Sequence, residues 1–262
     1  MNLDLSNRTA LVCGASQGLG AAVAKELSLL GANIILLART EINLQHVKSE
    51  LDISRRQKHQ YIIADTSKPL ELIEKVKAFL AAGNSIDIIV NNSGGPAAGP
   101  LLKTPINEME TAFHSHLIVS HLLAQLIVPG MKMRGFGRII NILSTSIKQP
   151  INGLGISNSI RAAVANWAKT LANEIGAFGI TVNNVLPGYT NTNRLDYLFG
   201  KQADTAQVSK EEILKRTIDL IPAGRLGEPH EFGAAVAFLC SPAAAYINGI
   251  NLPVDGGRLG SL

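Results

Sequence analysis

Three glycines, Gly14, Gly18 and Gly20, form a G-x-x-x-G-x-G turn between an apolar run at 10–13 and a helical stretch that Gly31 ends. Such a turn suits an anion. Backbone N–H groups point outward from the helix N-terminus, the helix dipole favours negative charge, and glycine lets a pyrophosphate approach the backbone. Other apolar runs also end in polar residues: Arg39, Asp65, the segment 92–95 (Asn-Ser-Gly-Gly), Ser144 and the segment 187–192. These supply a guanidinium, a carboxylate, amides and hydroxyls.

The elements that must position these residues are read from periodicity. Short apolar runs at 10–13, 33–38, 61–65, 86–92, 137–144, 180–186 and 250–254 are expected strands. Helical patterns lie between them, including two long ones at about 105–133 and 153–177. Residues 189–210 are polar and are expected to be an irregular lid. Strands alternating with helices predict one α/β domain over 1–262, a doubly wound, Rossmann-like parallel sheet with helices on both faces. In such sheets ligands sit beyond the carboxyl ends of the strands, where strand order reverses. All the polar residues above fall at those ends.

Composition narrows the class. The 262 residues are 46% apolar and 17% charged, with net charge +4, and the basic residues are scattered. The cluster Arg55-Arg-Gln-Lys-His59 is expected to be a solvated face, and no nucleic-acid partner is expected. No charged segment followed by an apolar one opens the chain, so no export signal is expected. The apolar stretch 117–128 contains Ser, His and Gln, which suits a buried helix better than a membrane span. Cys13 and Cys240 have no paired spacing, which predicts a reducing cytoplasm and neither a disulfide nor a metal site.

With these stretches in view, the chain resembles the short-chain dehydrogenase/reductases, close to the 3-oxoacyl-carrier-protein reductase branch. The matching segments are C13-G-A-S-Q-G-L-G20, A64-D65, N91-N-S-G94, G137-R-I-I-N-I-L-S144, V182-N-N-V-L-P-G188, Pro222-Ala-Gly-Arg-Leu-Gly-Glu-Pro229 and V254-D-G-G257, in family order from end to end. The resemblance implies seven strands, a homotetramer, and hydride transfer between NAD(P) and a small alcohol or carbonyl compound. It places Gly14, Gly18 and Gly20 at the pyrophosphate, Leu19 in the same cofactor-binding turn, Ser16 with its hydroxyl toward an adenosine phosphate, and Gln17 where a second base often sits. Asp65 and the Thr66 backbone fall at the adenine, Asn92 and Gly94 beside the adenosine ribose, and Gly188, Thr190 and Thr192 at the nicotinamide carboxamide. Leu37 stands where NAD-specific members carry an acid. Arg39 stands where members that prefer an adenosine phosphate carry a base, so NADP(H) is expected over NAD(H).

The resemblance breaks at the catalytic positions. The family uses Tyr-x-x-x-Lys thirteen residues after a catalytic serine. Ser144 is present, but Ser157 replaces the tyrosine and Arg161 the lysine, and His116 stands at the family's assisting asparagine. A serine hydroxyl is a far weaker acid than tyrosine, and Arg161 holds its proton at all usable pH, although its fork can grip a cofactor or an anion. His116 ordinarily titrates near neutrality. Two expectations follow: an atypical NADP(H)-dependent reductase or dehydrogenase, or a nucleotide-binding regulatory or partner protein that has lost the chemistry.

Overall fold

Seven short apolar segments with β-branched residues pair side by side as parallel strands. The structure, a computed structural model, describes residues 1–261. The strands are β1 (Thr9–Cys13), β2 (Asn33–Ala38), β3 (Gln60–Ile63), β4 (Ile88–Asn91), β5 (Gly137–Ile142), β6 (Ile180–Pro187) and β7 (Asn251–Val254). They form one parallel sheet in the order β3-β2-β1-β4-β5-β6-β7. The strand order therefore reverses between β1 and β4, and that crevice is where a ligand fits.

Alternation along each strand feeds two cores. Ala10, Val12, Ile34, Leu36, Ile88 and Val90 face one side, packed with α1 (Gly18–Leu29), α2 (Glu41–Ser49) and α9 (Pro229–Cys240). Leu11, Cys13, Ile35, Leu37 and Ile89 face the other, under α3 (Pro69–Ala81), α5 (Val119–Arg134) and α6 (Gly155–Ile175). Each Val, Leu or Ile among them contributes roughly 1.5–3 kcal/mol when fully buried. The helices thus cover both faces, as a doubly wound sheet requires.

The first long helical stretch is interrupted. It consists of α4 (Ile106–Phe113), a π-turn (His114–Ile118) and α5. Together, residues Ile106–Arg134 are long and apolar enough to cross a bilayer. Yet Val119, Leu123, Ile127 and Met131 make a buried stripe at helical spacing, packed on the sheet. Within this stretch, Ser120 Oγ donates back to the carbonyl of His116, four residues earlier, at 2.6 Å.

The expected irregular lid is instead two helices, α7 (Asn193–Ala206) and α8 (Lys210–Ile218). Thr192 caps the first by accepting from Leu195 N at 3.3 Å, and Ser209 caps the second by accepting from Glu212 N at 3.1 Å. Leu195, Phe199 and Ala203, four residues apart, bury against Ile213 in a small satellite core. A narrow apolar stripe in a polar segment hid this pair. In the Arg55–His59 cluster, Arg55, Arg56 and Lys58 are exposed, as expected of a solvated face, while Gln57 and His59 turn inward. Arg55 pairs with Asp4 at 2.8 Å, while buried His59 accepts from Ile34 N at 3.1 Å and buried Gln57 donates to Ser28 O at 2.9 Å.

Four asparagines set strand register in the buried sheet. Asn91 Nδ2 donates to Asn141 Oδ1 at 2.8 Å, Asn141 Nδ2 to Asn184 Oδ1 at 2.8 Å, and Asn184 Nδ2 to Asn251 Oδ1 at 2.7 Å. These residues face each other across β4, β5, β6 and β7. A one-residue slip of any of these strands would break its bonds in the ladder and leave buried amides unpaired.

Candidate active site

The glycine turn leads from β1 into α1 at the switch point. Gly14 has φ +59°, and a Cβ there would stand 2.6 Å from Asn92 Nδ2; a Cβ on Gly20 would meet the Gly14 carbonyl. Asn92 Nδ2 donates to the carbonyls of Cys13 and Gly14, at 3.3 Å each, and so locks the turn to the end of β4. Gln17 caps α1 with no side-chain hydrogen bond, and the first turn holds no acid. The leading N–H groups are therefore open to an anion. Leu19 packs its side chain on the core, leaving its backbone to the turn, and Ser16 stands partly exposed beside it. A dinucleotide's diphosphate fits this cradle.

Arg39 follows β2 with its side chain 76% exposed, and its Nη1 lies 4.0 Å from the Asp65 carboxylate. Asp65 Oδ1 accepts from Ser67 N at 2.9 Å, which turns the chain beyond β3, and Thr66 follows. The two strand ends thus bring a base and an acid to the same side of the glycine turn. On the other side, Gly188 leaves no room for a Cβ against Asp255. Thr190 is buried, Thr192 Oγ1 donates to Thr190 O at 3.3 Å, and Thr192 Cγ2 comes nearest the Gly18 position.

At the end of β5, Ser144 Oγ accepts from Ser146 N at 3.1 Å and is fixed by that short turn. Ser157 and Arg161 lie one turn apart on α6. Arg161 Nη1 donates to the carbonyls of Ile142, at 3.2 Å, and Leu143, so the arginine grips the backbone just before Ser144. Its Nε is buried without a partner. Burial, and secondarily the charge of Arg194, pulls its pKa down to about 10, so it remains a cation.

His116 differs from the sequence expectation. It is buried in the π-turn, and Ser93 Oγ lies 2.8 Å from its Nδ1. Burial, reinforced by Arg161 and opposed by the Gly94 backbone, pushes its pKa down to about 3. The imidazole is neutral at physiological pH and cannot serve as a protonated acid there. With Cys13, Thr66, Asn92, Ser93 and Asn141 it lines a small cavity under the strand ends.

The structure therefore brings Gly14, Gly18, Gly20, Asn92 and Thr192 together at the turn, Arg39 with Asp65, and Ser144 with Arg161. Sequence reasoning missed Ser93 as the partner of His116. It also missed Arg194, which opens α7 and donates from Nη2 to Pro96 O at 3.0 Å across the cleft. Only the distance along the chain hid these pairs; both residue types were visible.

A family model described as enoyl-(acyl carrier protein) reductase matches residues 14–258. The 3-oxoacyl-[acyl-carrier-protein] reductase FabG of Vibrio cholerae is 32% identical over 257 residues, covering 97% of this chain and 98% of that one. The 2-dehydro-3-deoxy-D-gluconate 5-dehydrogenase of Bacillus subtilis is 35% identical over 256 residues, covering 98% and 96%. The crystal structure of L-sorbose reductase from Gluconobacter frateurii, complexed with NADPH and L-sorbose, superposes with a TM-score of 0.93 at 29% identity, covering all of both chains. Fold, switch-point crevice and end-to-end similarity agree: the chain belongs to the short-chain dehydrogenase/reductase family of oxidoreductases.

Proposed function

We propose that the chain is an atypical NADP(H)-dependent oxidoreductase for a carbonyl or alcohol substrate, 3-oxoacyl-reductase-like, working as a cytoplasmic homotetramer. The observation that carries this reading is the meeting of the uncapped glycine turn, Arg39 and Ser144 along one edge of the sheet. Gly14, Gly18 and Gly20, with the Leu19 backbone, would hold the diphosphate, and Arg39, with Ser16 and Gln17 beside it, an adenosine phosphate. Asp65 and Thr66 would meet the adenine, Asn92 and Gly94 the ribose, and Gly188, Thr190 and Thr192 the carboxamide.

The reduced nicotinamide, when bound, supplies a hydride to the carbonyl carbon. Ser144 and Ser157 donate hydrogen bonds to the carbonyl oxygen, Arg161 and the neutral His116 position the Ser144 loop and Ser93, and solvent water delivers the proton. Loss of a strong general acid slows such a reaction by about 10²–10⁴-fold without forbidding it. The buried thiols of Cys13 and Cys240, each pushed up to about 12 by burial, suit a reducing compartment.

A second reading, a nucleotide-binding regulatory or partner protein, is favoured by one observation: no group at positions 116, 157 and 161 is an acid of neutral pKa. Mixing purified protein with NADPH and a carbonyl panel separates the two by the nicotinamide absorbance. Oxidation supports the oxidoreductase. NADPH binding with no oxidation across the panel overturns it for the regulator.

A further inference from the structure

Asparagine followed by glycine is a reactive pair. The glycine nitrogen, with no Cβ beside it, can close on the asparagine side-chain carbonyl carbon. The chain holds two such pairs, Asn152-Gly153 and Asn248-Gly249. The fold treats them oppositely. Asn248 is half-buried; its Oδ1 accepts from Val182 N at 2.8 Å and its Nδ2 donates to Ala172 O at 3.1 Å. Gly249 N donates to Val182 O at 2.9 Å, so both reacting groups of that pair are held. Asn152 and Gly153 are exposed. Among the described residues, neither the Asn152 side chain nor the Gly153 nitrogen has a hydrogen bond, and nothing stands within 4 Å of a Cβ placed on Gly153.

Asn152 and Gly153 are the central residues of a turn that Leu154 N closes by donating to Ile151 O at 3.2 Å, with Gly153 at φ +75°. That turn is a joint between two parts of the molecule. Gly99 N donates to Gly153 O at 2.7 Å and Gly155 N to Gly99 O at 3.4 Å. The loop after β4 is thereby clamped to the start of α6, the helix that carries Ser157. On the other side Asn158 brackets Ile151, donating to its carbonyl at 3.0 Å and accepting from its nitrogen at 3.4 Å. Ile151 and the Gly153 carbonyl are pinned, and the two reactive groups lie unheld between them.

We propose that Asn152 is a site of spontaneous covalent modification that releases this clamp. The Gly153 nitrogen bonds to Asn152 Cγ, the Cγ–Nδ2 bond breaks, and Nδ2 leaves as ammonia with the Gly153 amide proton. Water then opens the five-membered ring at either carbonyl, giving aspartate or isoaspartate. Isoaspartate routes the main chain through Cβ and lengthens it by one carbon between Ile151 and the Gly153 carbonyl. The pins on the two sides fit the shorter chain, so the bonds to Gly99 give way. No cofactor or substrate takes part, and the site stands apart from the oxidoreductase reading.

Ageing the full chain in mildly alkaline buffer, with and without urea, tests this by peptide mass mapping and isoaspartate labelling. In urea the two asparagines should convert at similar rates. In the folded protein Asn152, restrained by one turn bond, should stay within about tenfold of its urea rate. Asn248, held by three bonds, should slow by about 100-fold or more. In the isoaspartate-bearing chain the amides of Gly99 and Gly155 should exchange hydrogen about tenfold or more faster than in the fresh chain. Asn152→Gln, whose longer side chain closes a ring far more slowly, should suppress both changes. Asn152→Asp, which brings the charge without the added carbon, should keep the slow exchange. Folded-state conversion as fast at Asn248 as at Asn152, or conversion of Asn152 only in urea, overturns the modification site. Unchanged exchange in the isoaspartate-bearing chain, or equally fast exchange in Asn152→Asp, overturns release of the clamp by the lengthened chain.

Discussion

The hydroxyl of Ser93 stands 2.8 Å from Nδ1 of His116, tying the loop after β4 to the π-turn between α4 and α5. The imidazole in this contact is buried and its pKa is pushed down, and its neutrality has a measurable consequence.

His116 falls from an ordinary 6.5 to about 3, mainly through burial, with the Arg161 charge acting the same way. A depressed folded-state pKa means that the unfolded chain takes up the proton first. Its contribution is complete above about pH 6.5 and is lost as pH falls toward 3. From pH 7 to 5 the wild type should lose about 2 kcal/mol more stability than His116→Asn. Urea unfolding at both pH values measures it. His59, also pulled down by burial, is common to both proteins and cancels. Equal losses would mean that His116 does not stay neutral in the fold.

The asparagine ladder predicts a large effect from a substitution of similar branched shape. Asn141→Leu leaves Asn91 Nδ2 and Asn184 Oδ1 without their partners in the sheet. The cost should be about 2–4 kcal/mol, from two unsatisfied buried groups partly offset by apolar burial. Chemical denaturation should show a lower midpoint at unchanged slope. A shift under about 0.5 kcal/mol would remove the ladder from the stabilising terms.

Cofactor preference is tested at Arg39, which is exposed and 4.0 Å from Asp65. Arg39→Ala should weaken NADPH about tenfold and leave NADH affinity unchanged. Fluorescence titration of both cofactors decides it. Parallel losses for the two would assign Arg39 to the strand end alone.

Restoring the family pair tests the chemistry. Ser157→Tyr with Arg161→Lys should raise reduction of a neutral ketone by up to about 10²–10⁴-fold. Ser157→Tyr alone should give less, because Arg161 remains bound to the Ile142 and Leu143 carbonyls. Steady-state rates with NADPH measure this. A double variant that folds, binds NADPH normally and gains nothing would refute the account of a weakened reductase.

The proposed tetramer has apolar surface to cover. Leu102 and Ile106 are 101% and 70% exposed, and α6 turns Ala162 and Ala163 outward. Light scattering should give a tetrameric mass, and Ile106→Asp should lower it. A monomeric mass for the wild type at micromolar concentration would contradict the assembly.

The glycine turn, the seven strand segments and the residues at their carboxyl ends were legible because each rests on a local rule. Alternation, helix periodicity and glycine spacing act within a few residues. The helices α7 and α8 escaped because Leu195, Phe199 and Ala203 make too narrow a stripe in a polar segment; their burial comes from packing on Ile213. The π-turn has no composition of its own and shows only in the backbone. His116 reads as an ordinary histidine until Ser93, Gly94 and Arg161, distant in sequence, surround it. Arg194 reads as a lid residue until the fold sets it against Gly95 and the Pro96 carbonyl. Residue type and spacing determined which groups were available and which strand ends carried them. The tertiary structure alone decided which became neutral, charged, paired or left facing the cleft, because desolvation and Coulomb energy depend on distance in space and not along the chain.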